Sequence, residues 1–359
     1  MDDCITMKST KTIRILEKDN IHIYKHLEND LNILKGSTVL IAGSKGFLGK
    51  TITNFLNFLN EFKFEKEDLI KIIAIDYEDH DICNPLDDFI ARGLHEEAET
   101  VDYIINCAGI ASPKKYLKVP IKTMDVSYTG TKNILEFAKI RNTKSVLMFS
   151  SSEVYGTPDP ENIPTKEDYI GSVTTFGNRS CYDIGKNILE TLCYVYHDKY
   201  KIPVNVLRPF NLYGPLMNFD DGRIIPNICK AMIEKREFSV YGDGKQTRTY
   251  CYVADAVVYM FKVLLSNKFG QIYNVGSEDE ELSALEITER AYTIINPEDS
   301  TYSIQPHPDG YPDNEPTRRK PDISKVKSIS GYTPKYRFKD GLLSCYNYFC
   351  NIHLKGDLT

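Results

Sequence analysis

Tyr182 and Lys186 stand four positions apart in the stretch GNRSCYDIGK, residues 177–186. Residues i and i+4 share a face of a helix, so a phenol and an ammonium at this spacing can enter one cleft. A free phenol titrates near about 10 and is a poor base at neutral pH. A nearby ammonium favours the phenolate and brings it toward the working range. Such a pair is suited to taking the proton of an alcohol while hydride leaves its carbon. Spacing alone does not decide the matter, because a chain with 24 tyrosines places one four residues before a lysine by chance. Cys181, beside the tyrosine, is a second reactive group to be weighed.

Context comes from two stretches upstream. In FSSSEVYG, residues 149–156, Ser151, Ser152 and Glu153 follow the apolar run KSVLMF. That places them at the C-terminal edge of a strand, where open parallel sheets bind ligands. Hydroxyls there can hold a sugar oxygen and Glu153 can act as acid or base; the plain alternative is a serine-rich loop with a solvated glutamate. Further upstream, Gly43, Gly46 and Gly49 form G-x-x-G-x-x-G, with Phe47 and Leu48 inside the turn, between an apolar run and a helix-period pattern. Glycine permits the positive φ and close backbone approach that a pyrophosphate needs, and the helix N-terminus supplies N–H groups and partial positive charge. Asp76 closes the next strand, KIIAID, where an acid accepts from a ribose 2′-OH and repels a 2′-phosphate. NAD is therefore favoured. Asp76 lies 27 residues after Gly49, and Lys45 within the turn leaves NADP open; Asp76 also reads as a solvated strand end.

Positioning these groups requires strands with helices between them. The apolar runs LIKIIAID, VDYIINCAG, KSVLMFSSS and VNVLRPFN are short and bounded, and helical stretches such as PIKTMDVSYTGTKNILEFAKI separate several of them. The alternation predicts an α/β fold, a Rossmann-type doubly wound parallel sheet with helices on both faces. After about residue 212 the pattern loosens into turn-rich YGPLMNFDDGR and VYGDGKQTRTY and a Pro-rich charged stretch, QPHPDGYPDNEPTRRKPD. We read residues 1–36 as an N-terminal extension with a short amphipathic helix. Residues 37–212 are mainly the cofactor-binding domain, and 213–359 mainly a smaller substrate-binding cap with segments returning to the first.

The 359 residues suffice for substantial cores without metal or disulfide staples. Lys and Arg total 44 against 50 Asp and Glu, a net charge of −6, so no basic field for nucleic acid is expected. Nine scattered cysteines without a CxxC pair favour reduced thiols and a cytoplasmic setting, and give no zinc pattern. A polar N-terminus and the absence of a long apolar run argue against a signal peptide or a membrane span.

The glycine turn, SSSEVYG, Tyr182 with Lys186, and RPFNLYGP, in this order, resemble the extended short-chain dehydrogenase/reductase family of nucleotide-sugar enzymes over roughly residues 37–350. ASPKKYLKVPIKT, GNRSCYDIGK, FNLYGPLMNFDDGRIIPN, VYGDGKQTRTYCYVADA and RRKPDISKVK look most like its UDP-glucuronic acid decarboxylase (UDP-xylose synthase) branch. The resemblance implies that Tyr182 is the base, that Lys186 tunes it and holds the nicotinamide ribose, and that Ser151 and Ser152 position the sugar. It puts Glu153 and Arg248 in the places of the decarboxylase glutamate and arginine. Asn211 and Arg319 match contacts to the nucleotide diphosphate, with Arg223 assisting. It also implies a homodimer, built from the helix near residues 121–139 and the helix carrying Tyr182.

The implied chemistry is coherent. Oxidation at C4 of a UDP-hexuronic acid makes a ketone β to the carboxylate; CO2 then leaves as electrons flow into an enolate, and C4 is reduced again. No covalent intermediate is needed, so Cys181 is read as a packing residue. Three departures stand out: Ser127 replaces the usual asparagine in VSYTGT, the link after Asp76 is too short for the usual helix, and residues 1–36 have no counterpart. The alternatives are a 4,6-dehydratase or 4-epimerase, which begin with the same oxidation, and a non-catalytic NAD-binding scaffold, which has no need of Tyr182, Lys186 and Glu153.

Overall fold

The structure is a computed structural model that describes residues 2–85, 100–307 and 316–353, and the side chains from residue 12 onward. Part of the Pro-rich stretch lies outside the described residues. The chain opens with helix α1 (Asp2–Leu27), longer than the short helix expected, and a 3₁₀ turn, Leu31–Leu34. Strand β1 (Thr38–Ala42) runs into the glycine turn and α2 (Phe47–Phe62), followed by β2 (Lys71–Ile75) and β3 (Tyr103–Asn106). A helical run follows: α3 (Pro120–Asp125), a π-helical turn Val126–Gly130, and α4 (Thr131–Arg141). Then come β4 (Ser145–Phe149), α5 (Ser180–Tyr200) and β5 (Val204–Pro209).

These strands form one sheet in the order β2-β1-β3-β4-β5-β10, where β10 is Gln271–Val275, and every pairing is parallel. Parallel strands buried on both faces need apolar side chains in both alternating sets. β1 shows this: Val39 and Ile41 join the core on one face of the sheet, Leu40 and Ala42 the core on the other. From β1 the chain steps outward to β2, then crosses back to β3 on the other side. The crevice above β1 and β3 is thus the topological switch point where such sheets take ligands.

The short link after Asp76 holds turns and no helix among the described residues, and β2 is the outermost strand there. Lys122 Nζ on Asp81 (2.5 Å) and Asn133 Nδ2 on the carbonyls of Ile82 and Asn84 (2.8 and 2.7 Å) tie this link to α3 and α4. Ser127 is buried; its hydroxyl donates to the Thr123 carbonyl (2.9 Å), and a Cβ at Gly185 of α5 would lie 2.8 Å from that hydroxyl. The small residue lets the π turn approach the helix of Tyr182 and Lys186.

Beyond β5 lie the strand pair β6 (Leu212–Tyr213) with β9 (Cys251–Tyr252) and helix α6 (Ile224–Ile233). Strands β7 (Phe238–Tyr241) and β12 (Tyr302–Gln305) pair with each other. The small sheet β11-β8-β13 comprises Glu281–Ser283, Thr247–Thr249 and Arg318–Arg319. Helix α7 (Val253–Leu264) is buried almost all round, as a helix at the centre of a core must be. Helices α8 (Ala284–Ile295), α9 (Ser324–Ser330) and α10 (Phe338–His353) complete the chain, with α10 packed on α1 and α6.

Candidate active site

The glycine turn sits where β1 ends. Gly43 has φ +77°, and a Cβ there would lie 2.6 Å from the amide nitrogen of Ala108; one on Gly49 would lie 2.2 Å from the Gly43 carbonyl oxygen. Backbone fills the space that side chains would occupy, which leaves the N–H groups opening α2 facing the crevice without a side chain before them. Gly46 is the extended residue before α2, and half-buried Phe47 and Leu48 begin it. Asp76 is buried and accepts from the backbone N–H groups of Lys45 and Tyr77, each at 2.9 Å. It therefore shapes the turn from the end of β2. The Lys45 ammonium pairs with Glu78 (2.7 Å) and Asp79 (2.9 Å). The charge that left NADP open is already taken up, among three carboxylates that disfavour a 2′-phosphate. This donor set fits NAD: side-chain-free amides for the pyrophosphate and an acid at the strand end.

The catalytic candidates meet above β4. The buried Lys186 ammonium donates to the Phe149 carbonyl (2.7 Å), and its Nζ lies 5.8 Å from the centre of the Tyr182 ring. Burial pushes Lys186 down to about 8, against the opposing charge of Glu190. Tyr182 is buried and hydrogen-bonded to Ser151; burial pushes its phenol up to about 12 and the Ser151 hydroxyl opposes this. Lys186, expected to tune Tyr182, thus stands in the same cleft as the phenol. Tyr116 stacks on Tyr182, ring centres 5.1 Å apart and planes 14° from parallel, and its buried hydroxyl has no hydrogen-bond partner. Cys181 packs with both rings, its thiol directed at the Tyr116 and Asn178 carbonyls (3.8 Å each) and pushed upward by burial.

Ser152 is buried at the head of a 3₁₀ turn, Ser152–Tyr155, and the Ser151 hydroxyl accepts from the Glu153 backbone N–H (3.2 Å), so one serine caps the turn and reaches the phenol. Burial works against the Glu153 charge, but Arg319, Arg179 and the more distant Arg248 together hold it down at about 2. Arg319 grips Glu153 with both terminal nitrogens, Nη2 at 2.6 Å from Oε2, and Arg179 joins through Nη2. Arg319, expected at the nucleotide diphosphate, is thus engaged with the glutamate, and its buried Nε has no partner. Arg248 is buried in β8 and donates to the carbonyls of Pro316 (2.6 Å) and Thr247 (2.9 Å). It stands in the field of Glu153 with these donors on backbone.

Arg223, the residue before α6, pairs with Asp221 (Nη2–Oδ2 2.7 Å) and is near enough to act on Tyr182. Asn211 sits at φ +21°, its carbonyl accepting from Cys251 N–H (3.2 Å), and shares no side-chain bond with the group above. The fold therefore assembles Ser151, Glu153, Tyr182, Lys186 and Arg319, with Arg248 and Arg223 within electrostatic reach. Sequence reasoning passed over Arg179, Asp183 and Tyr116. A signal did exist for the first two, which lie four apart around Tyr182 in GNRSCYDIGK; nothing local marked Tyr116.

Comparison with known proteins identifies the family. The NAD dependent epimerase/dehydratase family matches residues 39–276. UDP-glucuronic acid decarboxylase 3 of Arabidopsis thaliana is 37% identical over 316 residues, 85% of this chain and 86% of the relative. UDP-glucuronic acid decarboxylase 1 of Danio rerio is 36% identical over 87% of this chain and 72% of its own. Among solved structures, an epimerase of Methanothermobacter thermautotrophicus superposes with TM-score 0.76 at 21% identity, covering 92% of this chain and 97% of that one. UDP-glucuronic acid 4-epimerase of Bacillus cereus, in complex with UDP-glucuronic acid and NAD, does so with TM-score 0.68 at 23% identity over 88% and 99%. The glycine cradle, the Tyr182–Lys186 cleft and these matches together lead to one conclusion: this chain belongs to the NAD dependent epimerase/dehydratase family.

Proposed function

We propose that the protein decarboxylates UDP-glucuronate to UDP-xylose. The observation that carries this is Glu153, held ionised between Arg319 and Arg179 beside the Ser151–Tyr182 pair, in a chain whose relatives at 34–37% identity are named UDP-glucuronic acid decarboxylases. Gly43, Gly46, Gly49, the start of α2 and Asp76 would hold NAD, which would supply the reversible hydride chemistry at C4 of the sugar.

The chain's own residues do the rest. Tyr182 takes the O4 proton in its phenolate form, which the Ser151 hydrogen bond favours against burial. The resulting C4 ketone is β to the carboxylate, so the C5–C6 bond breaks with its electron pair entering an enolate. Glu153, ionised, accepts hydrogen bonds from the sugar or from water; at about 2 it is no proton donor at neutral pH. Arg248 and Arg223 supply positive field for the carboxylate and diphosphate. After C5 is protonated, Tyr182 returns its proton to O4.

The test is incubation with UDP-, GDP-, CDP- and dTDP-sugars read by mass spectrometry. Loss of CO2 from UDP-glucuronate is expected. Loss of water from a neutral hexose identifies a dehydratase instead, and no change with any of them leaves the scaffold reading. A homodimer is also inferred, because α3 with its π turn and α5 leave Ile121, Met124, Tyr128, Tyr194 and Val195 exposed on adjacent helices. The eight free cysteines among the described residues support a cytoplasmic setting.

A further inference from the structure

Decarboxylation does not conserve protons. The substrate carboxylate leaves as CO2 and a C–H bond takes its place, so one proton enters from solvent at every turnover. Tyr182 cannot supply it, since the proton it takes from O4 goes back to O4. Glu153 is anchored as an anion by two arginines. Lys186 is committed to the Phe149 carbonyl deep in the fold.

Among the described residues, another carboxyl stands beside this group. Asp183 follows Tyr182 on α5, with its side chain mostly buried and 14% exposed. Its Oδ2 lies 3.7 Å from Arg179 Nε, while the far end of the same guanidinium holds Glu153. Its Oδ1 is closed off from solvent and has no hydrogen-bond partner. A buried, unpartnered carboxylate oxygen is costly, and a proton on the group relieves the cost. The groups that face it are Glu153 from the turn after β4, Arg319 from β13, Tyr116 from the short helix Pro113–Tyr116, and Arg179, Cys181 and Tyr182 from its own helix.

We propose that Asp183 is the proton-entry residue of this site, a positioning carboxyl that shares Arg179 with Glu153 and restores the proton that decarboxylation consumes. The proposal rests on the UDP-glucuronate reading. Asp183 takes a proton from solvent, and a water bonded to Glu153 carries it to C5 as the enolate collapses to the ketone; Asp183 is then recharged from bulk. Burial, then repulsion from Glu153, raises Asp183 to about 6, against the pull of Arg179 and Arg319. Of the two carboxyls on Arg179, it is the one that exchanges protons near neutrality, and environments that split two neighbours this way mark distinct proton roles.

The experiment compares wild type, Asp183→Asn and Asp183→Glu on UDP-glucuronate. Asp183→Asn should lower kcat by roughly 10²-fold, the lower end of a lost general-acid contribution. It should leave KM and the affinity for UDP within about threefold. It should also release a larger share of decarboxylated 4-keto sugar by mass spectrometry, because protonation now lags, and Asp183→Glu should recover most of the rate. The decline of wild-type kcat as pH rises through about 6 should vanish in Asp183→Asn. An infrared pH titration in an Asp19→Asn background, which removes the other carboxyl raised to about 6, should show a protonated-carboxyl band that titrates there and is lost when Asp183→Asn is added. An unchanged kcat, equal losses of kcat and UDP affinity, or an infrared band that survives the added Asp183→Asn overturns the proposal. If wild type releases no CO2 from UDP-glucuronate, the reading beneath it has failed instead.

Discussion

Tyr182 is a phenol held near 12 by burial, beside a serine that shares its proton and an ammonium pulled down to about 8. Phe keeps the ring that stacks on Tyr116 and removes only the hydroxyl, so the substitution should affect proton transfer and little else. Tyr182→Phe should lower kcat by about 10²- to 10⁴-fold, the span of a lost general base, while isothermal titration with UDP finds binding intact. A different residue governs the cofactor. A methyl group on Gly49 would meet the Gly43 carbonyl oxygen at 2.2 Å, and neither backbone can yield without opening the turn. Gly49→Ala should therefore be purified with its NAD lost, measured by absorbance of the extracted nucleotide. Both positions were readable in the sequence because helix periodicity and glycine spacing are local. The tethering of Glu153 by Arg179 and Arg319 was not, since those partners lie 26 and 166 residues away and only the fold brings them together.

Helix α1 shows what local pattern conceals. Its buried side includes Ile23 and Leu27, but also Asp19 and Asn20, so the apolar stripe is broken and only a short helix is predicted from it. The polar groups are docking contacts. Asp19 accepts from Tyr252 (2.8 Å) and Tyr336 (3.1 Å), Asn20 bonds Asn54 (2.7 Å), and His22 Nε2 meets Asp255 (2.9 Å) and Tyr332 (3.0 Å). Burial raises Asp19 to about 6 from 3.8, although both tyrosines, His22 and Lys18 oppose it. The folded protein thus takes up this proton more readily than the unfolded chain. The stabilisation is fully present below about 3.8 and lost as pH rises through about 6. Asp19→Asn, neutral at every pH, removes that dependence. Thermal melts should show wild type gaining on Asp19→Asn as pH falls from neutrality toward 5; parallel melting temperatures would show that Asp19 carries no such linkage.

The parallel character of the six-stranded sheet follows from the alternation of strands and helices, while its order, with β3 crossing back to the far side of β1, is set by the fold. The sixth, β10, was harder to read, because the cap strands and helices of residues 212–264 intervene before the chain returns to pair with β5. That return closes the sheet on one side, while α3 with its π turn and α5 lie beside each other with apolar side chains facing water. Ile121 is 77% exposed and Tyr194 68%, with Met124, Tyr128 and Val195 at 44–49%. A monomer seldom leaves this many large apolar side chains uncovered on two adjacent helices. A twofold axis beside these helices would let two copies cover each other with the same patch, the isologous arrangement most soluble homodimers adopt. Charges at the most exposed positions would then face their own copies and repel. Sedimentation velocity should find wild type as a dimer and Ile121→Asp/Tyr194→Asp as a folded monomer, with Tyr182, Lys186 and Glu153 undisturbed, since none of them lies on this patch. A wild-type monomer at micromolar concentration would show that these helices face solvent or another partner.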